Sequence, residues 1–139
     1  MSTFDRTALW FERIVLAGAT FVMAMIAWRN LHDPVGATQS LDIVLRSPSA
    51  ATIARVGLGG FPLGFAIALG GCAISTQRLM TGMWLLLTVV GAVMMARVVG
   101  LLFDGVTPYN LRLLAPEVVM VALSVVGVGL ERRRIARSV

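Results

Sequence analysis

Four long apolar stretches, joined by short polar connectors, fill almost the whole chain: residues 8–29, 49–74, 79–103 and 111–131. A helix needs about 20 apolar residues to cross a hydrocarbon core of about 30 Å. Each stretch is therefore predicted to be a membrane-spanning helix. In the first, the uninterrupted apolar part from Ile14 to Trp28 is short, so Glu12 and Arg13 are placed at the interface. Trp10 and Trp28 bracket it, as amphipathic rings do at headgroup depth. Asp5 and Glu12 spoil the basic start of a cleavable signal, so this stretch reads as a retained signal anchor.

Punctuation along the chain supports the same division. Asn30-Leu31-His32-Asp33-Pro34 ends the first helix, because proline cannot continue the ladder and restricts the residue before it. The connector 30–49 is the longest. Its Leu41, Ile43, Val44 and Leu45 are interleaved with Asp42 and Arg46. That pattern predicts either a short amphipathic helix on the membrane surface or an ordered loop across the mouth of the bundle. Ser47-Pro48-Ser49 supplies a cap and first turn for the second helix, and Pro62 predicts a kink within it. Gln77-Arg78 and Asp104-Gly105 mark tight turns, and the fourth helix starts at Leu111 or Pro116. Small residues recur at helical spacing: Gly60 and Gly64 in the second stretch, and Ala92, Ala96 and Gly100 in the third. Such spacing lets helices approach closely, either inside one bundle or between two copies.

Composition agrees: 58% of residues are hydrophobic and 14% charged, with mean hydropathy +0.86. Soluble domains carry about 25% charged residues, so the expected class is all-α, an integral-membrane four-helix bundle in a single domain. The net charge of +5 comes from twelve basic residues, all arginine. Their placement argues against nucleic acid, because Arg132, Arg133, Arg134 and Arg137 cluster just after the last apolar stretch. There they act as a topology signal, and as contacts to anionic lipid each would contribute about 1 kcal/mol. With both termini inside, Arg6, Arg13, Arg78 and those four lie on inner flanks, against Arg29, Arg46 and Arg112 outside. The bias predicts N-in, C-in in a bacterial cytoplasmic membrane, with residues 131–139 as a basic cytoplasmic tail.

Candidate chemistry is sparse. Cys72 is the lone cysteine and reads as a small packing residue; His32 is the lone histidine, in a connector, with no second metal ligand nearby. No serine or cysteine lies near a plausible base, which points away from catalysis. The exception is a set of charges inside the apolar stretches. Arg55, Arg97 and Glu117 each lie about six residues, or ~9 Å, from the outer end of their helix, and Asp104 follows Arg97 on the same face. An unpaired charge in the hydrocarbon costs at least ~2.5–3.5 kcal/mol. Glu117 is therefore predicted to pair with Arg97, with Arg55 nearby and Asp104 above. Pro116 would place Glu117 in the first turn of its helix, where the dipole favours a carboxylate. The cluster serves either as a staple between helices or as a polar site open to the outer leaflet. Its spare positive charge would suit an anionic headgroup, a phosphate or a quinone carbonyl.

The runs Ile53-Ala54-Arg55-Val56-Gly57-Leu58-Gly59-Gly60, Ala96-Arg97-Val98-Val99-Gly100 and Phe103-Asp104-Gly105, with Pro34, Pro108 and Glu117, resemble the bacterial domain-of-unknown-function family 4345. The resemblance covers residues 12 to 131. It implies a small four-helix membrane protein, distantly similar to DoxX-like proteins, and supplies no function. The basic tail and Pro62 have no place in that pattern. Two functions are expected from the residues. One is a non-catalytic accessory or assembly subunit of a larger membrane complex, needing no cofactor and docking on other membrane subunits or on itself. The other is a lipid- or quinone-binding protein, a transporter or enzyme, that uses Arg55, Arg97, Asp104 and Glu117.

Overall fold

The computed structural model describes residues 3–138. It is all-α: 90% helix, with no strand among the described residues. Helix α1 spans Thr3–His32, and a short α2 spans Pro34–Gln39. Helix α3, Pro48–Ala54, runs through a π-helical turn, Arg55–Gly60, into α4, Phe61–Ala73. A 3₁₀ turn at Thr76–Arg78 leads to α5, Leu79–Asp104, and α6 covers Pro108–Ser138. Four of the described helical runs are long and apolar enough to cross a membrane: Thr3–His32, Pro48–Ala73, Thr76–Asp104 and Pro108–Arg137. Between 11% and 28% of the residues in their most apolar windows are buried. Most residues of those windows are therefore partly or fully exposed, as expected where lipid is the solvent. The chain is a multi-pass membrane protein.

Three helices start with the same device, a capping side chain followed by proline. The Asp33 carboxylate accepts from Gly36 N–H at 2.9 Å, Ser47 Oγ from Ala50 N–H at 3.1 Å, and Thr107 Oγ1 from Asn110 N–H at 3.2 Å. Pro34, Pro48 and Pro108 follow directly, where a missing N–H costs nothing and φ is already helical. Helix α5 ends at Gly105, whose φ of 92° a side chain would disfavour.

The expected distortion at Pro62 appears one turn earlier. Proline offers no N–H and its ring crowds the carbonyl four residues back, here that of Leu58. The chain answers by widening to π geometry, with Phe61 N–H donating to the Val56 carbonyl. Of the two forms expected for residues 41–46, the structure shows the loop and not the surface helix. The connector's helix is Pro34–Gln39, and the chain after it turns back so that Ile43 N–H reaches the Thr38 carbonyl. Asp42 there takes a left-handed φ of 58°. Helix α6 continues through the arginines of the basic tail to Ser138.

The chain forms two compact units, residues 1–16 with 72–139, and residues 17–71. In the first, α5 packs along α6, with Leu16, Leu79, Met83 and Leu86 fully buried. Gly82 allows this packing, since a Cβ there would lie 2.7 Å from Cys72 Cβ and 2.8 Å from Leu16 Cδ1. At Gly127 a Cβ would lie 2.1 Å from Met83 Cε. In the second unit, Gly59 faces Leu31, and Gly70 faces Thr20. These are not the small residues expected from spacing. Gly60, Gly64, Ala92 and Ala96 are exposed, and Gly100 is half-buried. A Cβ at Gly64 would meet nothing within 4 Å. Spacing marks a small-residue stripe but not the direction it faces.

Candidate functional site

Arg97 and Glu117 sit on α5 and α6, joined by the turn at Gly105. Arg97 lies seven residues, about 10 Å, before the end of α5. Its Nε donates to both Glu117 oxygens at 2.9 Å, and its Nη2 to Oε1 at 2.6 Å. The side chains are 22% and 14% exposed. A forked, short contact of this kind is the strong form of a charge-assisted hydrogen bond. Glu117 is not in a first helical turn. Pro116 lies inside α6, which begins at Pro108, so the dipole does not position this carboxylate; Arg97 does.

The other two members of the expected cluster have surroundings of their own. Arg55 belongs to the unit of residues 17–71, where its Nε donates to the Leu31 carbonyl at 3.2 Å. That carbonyl is near the end of α1, where backbone acceptors lack intrahelical donors and a cation is favourable. Asp104 ends α5, is exposed, and forms no ion pair with Arg97.

A second charged group, absent from the sequence reading, lies at the start of α1 and the end of α6. Glu12 is 0% exposed and Glu131 2%. Their carboxyl groups face each other, with Arg134 beside them and Asp5 within reach of Arg134. Arg134 forks onto Glu131: its Nε donates to Oε2 at 2.6 Å, and its Nη2 to Oε1. Arg13 on α1 turns away, its Nη2 donating to Thr76 Oγ1 at 2.9 Å. Neither Glu12 oxygen has a hydrogen-bond partner. A usable signal was present: two carboxylates at the same ends of the first and last spans once these are folded as an even number of crossings. The sequence places Glu12 at the interface and, next to so many arginines, does not single out Glu131.

The tail arginines are largely engaged within the chain. Arg132 stands 5.5 Å from the centroid of the Trp84 ring, and Arg137 4.5 Å from that of Phe4, both cation–π distances. Arg133 is exposed. His32 stacks on Trp28 with ring centroids 3.9 Å apart. No group of three or more His, Cys, Asp or Glu residues able to hold a metal ion occurs among the described residues. The chain matches no protein-family model, no curated protein and no solved structure. Function is therefore read from this geometry alone.

Proposed function

We propose that the protein is a non-catalytic accessory or assembly subunit of a larger membrane complex, set N-in, C-in in a bacterial cytoplasmic membrane. One observation carries this reading: the small residues at helix-packing spacing face outward. Gly60 and Gly64 in the second span, and Ala92 and Ala96 in the third, are exposed and leave smooth apolar strips. In lipid, helices associate through close backbone approach, which such strips allow. The deep charges meanwhile are satisfied within the chain, Arg97 by Glu117 and Arg55 by a backbone carbonyl. They act as a staple and a cap.

The test is purification in mild detergent with mass spectrometry of everything retained. A larger complex at fixed stoichiometry supports the reading, and Gly64→Leu or Ala96→Leu should release it while the protein stays folded. The second reading is a lipid- or quinone-binding protein. It is favoured by Arg97 Nη1, which the pair with Glu117 leaves for another acceptor on a side chain 22% exposed. A lone protein carrying one recurring lipid or quinone, lost in Arg97→Lys, would replace the first reading with this one.

A further inference from the structure

We propose that Glu12 and Glu131 form a proton-binding site, in which one proton is shared between two carboxyl groups and ties the start of α1 to the end of α6. The argument is one of donors and acceptors. A carboxylate only accepts; a carboxyl group also donates. Glu12 is fully enclosed, and no N–H or O–H reaches either of its oxygens. Its neighbour is another carboxyl group, that of Glu131, also enclosed. Two buried anions in contact, one with no donor at all, form an arrangement that burial penalises twice, by repulsion and by desolvation. A single proton between the two removes both penalties and turns the contact into a hydrogen bond.

Among the described residues, no group around the pair donates to Glu12. On α1, Arg13 Nη2 donates to Thr76 of the 3₁₀ turn and its Nε is buried without reaching an acceptor, while Asp5 adds negative charge near Arg134. On α6, Arg134 stands beside both carboxyl groups, but its Nε and Nη2 donate to the Glu131 oxygens and none of its N–H groups reaches a Glu12 oxygen; Arg137 lies over Phe4. Helix α5 has no titratable residue between Leu79 and Ala96. A calcium ion in place of the proton would take six to eight oxygen ligands, and the two carboxyl groups supply at most four. The proton needs only the two acceptors that are there. Binding is a simple equilibrium: Glu12 takes up or releases the proton, and no other bond is made or broken.

The site makes the junction between the first and last helices responsive to pH. Where the proton is held, α1 and α6 are tied. As pH rises and it leaves, two anions face each other and the ends are pushed apart. This inference stands apart from the accessory-subunit reading and does not depend on it.

The experiment is a pH titration of the full chain in lipid nanodiscs, followed by infrared spectroscopy of the carboxyl C=O band and by thermal unfolding. The wild type should show a carboxyl band that disappears as pH rises, with the unfolding midpoint falling over the same range. Glu12→Gln, which keeps the shape of the protonated group and can donate, should lose both the band and the pH-dependent shift. An ionised signal from both carboxylates at every pH would overturn the proposal. So would a Glu12→Gln variant that titrates like the wild type. A midpoint that depends on sodium or potassium rather than choline, at fixed pH and ionic strength, would assign the site to a metal cation instead. The wild-type infrared reading decides the matter even if the variant does not fold.

Discussion

Arg97 is held by Glu117 through a fork of three hydrogen bonds, and a hydrogen bond to a charged group contributes about 1.5–3 kcal/mol. Arg97→Ala or Glu117→Ala should each lower stability by about that much, because each leaves a charge without its partner. The double variant should lose less than the sum of the two. A double-mutant cycle by reversible unfolding in detergent measures the coupling, and additive losses would show that the pair contributes nothing. The glycines give a second contrast. Gly82→Ala and Gly127→Ala drive a methyl into Leu16, Cys72 and Met83, and should cost about 1–3 kcal/mol. Gly64→Ala meets open space and should be neutral, or stabilising by up to about 1 kcal/mol through helix propensity. Equal losses at all three positions would contradict the packing described. This scale also shows what a sequence can disclose. A charge deep in an apolar stretch must find its opposite at the same depth, so Arg97 and Glu117 could be joined from residue numbers. Glu12 and Glu131 could not: at the ends of apolar stretches, beside arginines, solvent is an equally good explanation until the fold encloses them.

Helix boundaries were legible wherever a cap met a proline, because both groups act locally. Ser47-Pro48 was read as a helix start, and the structure shows Ser47 Oγ accepting from Ala50 N–H. Ser47→Ala should destabilise the protein by about 1 kcal/mol, seen as a lower unfolding midpoint; an unchanged midpoint would mean that lipid or water caps this end equally well. Thr107-Pro108 carries the same signal, yet the polar run after it hides the start of α6, which the sequence sets at Leu111 or Pro116 and the structure at Pro108. Helix α6 runs on through the tail arginines, where the Glu131–Arg134 pair one turn apart and Arg137 in the last turn both support it. For residues 41–46 the sequence leaves a surface helix and an ordered loop open, because a few apolar residues interleaved with Asp42 and Arg46 suit either; the left-handed φ of Asp42 decides for the loop by turning the chain out of helical geometry.

At the scale of the whole molecule, four candidate spans that all cross would put the two ends of the chain on one side, and the arginine bias predicts which. If α1 and α6 end on the cytoplasmic side, Arg6, Arg13, Arg78, Arg132, Arg133, Arg134 and Arg137 are inside, and Arg29, Arg46 and Arg112 are outside. The connector at Ser40 then lies outside and the turn at Gln77 inside. Cys72 is buried, so a thiol introduced elsewhere can be read against it. In intact cells, a membrane-impermeant thiol reagent should label Ser40→Cys and spare Gln77→Cys, with Gln77→Cys labelled only after permeabilisation. The reverse pattern would invert the molecule, and labelling of both in intact cells would mean that the spans do not all cross. The answer also fixes what each charged group can sense. In the expected orientation the Arg97–Glu117 staple lies in the outer leaflet, while Glu12 and Glu131 are enclosed beside the cytoplasm, whose pH would then set their proton. In the inverted one that pair would respond to the outside instead.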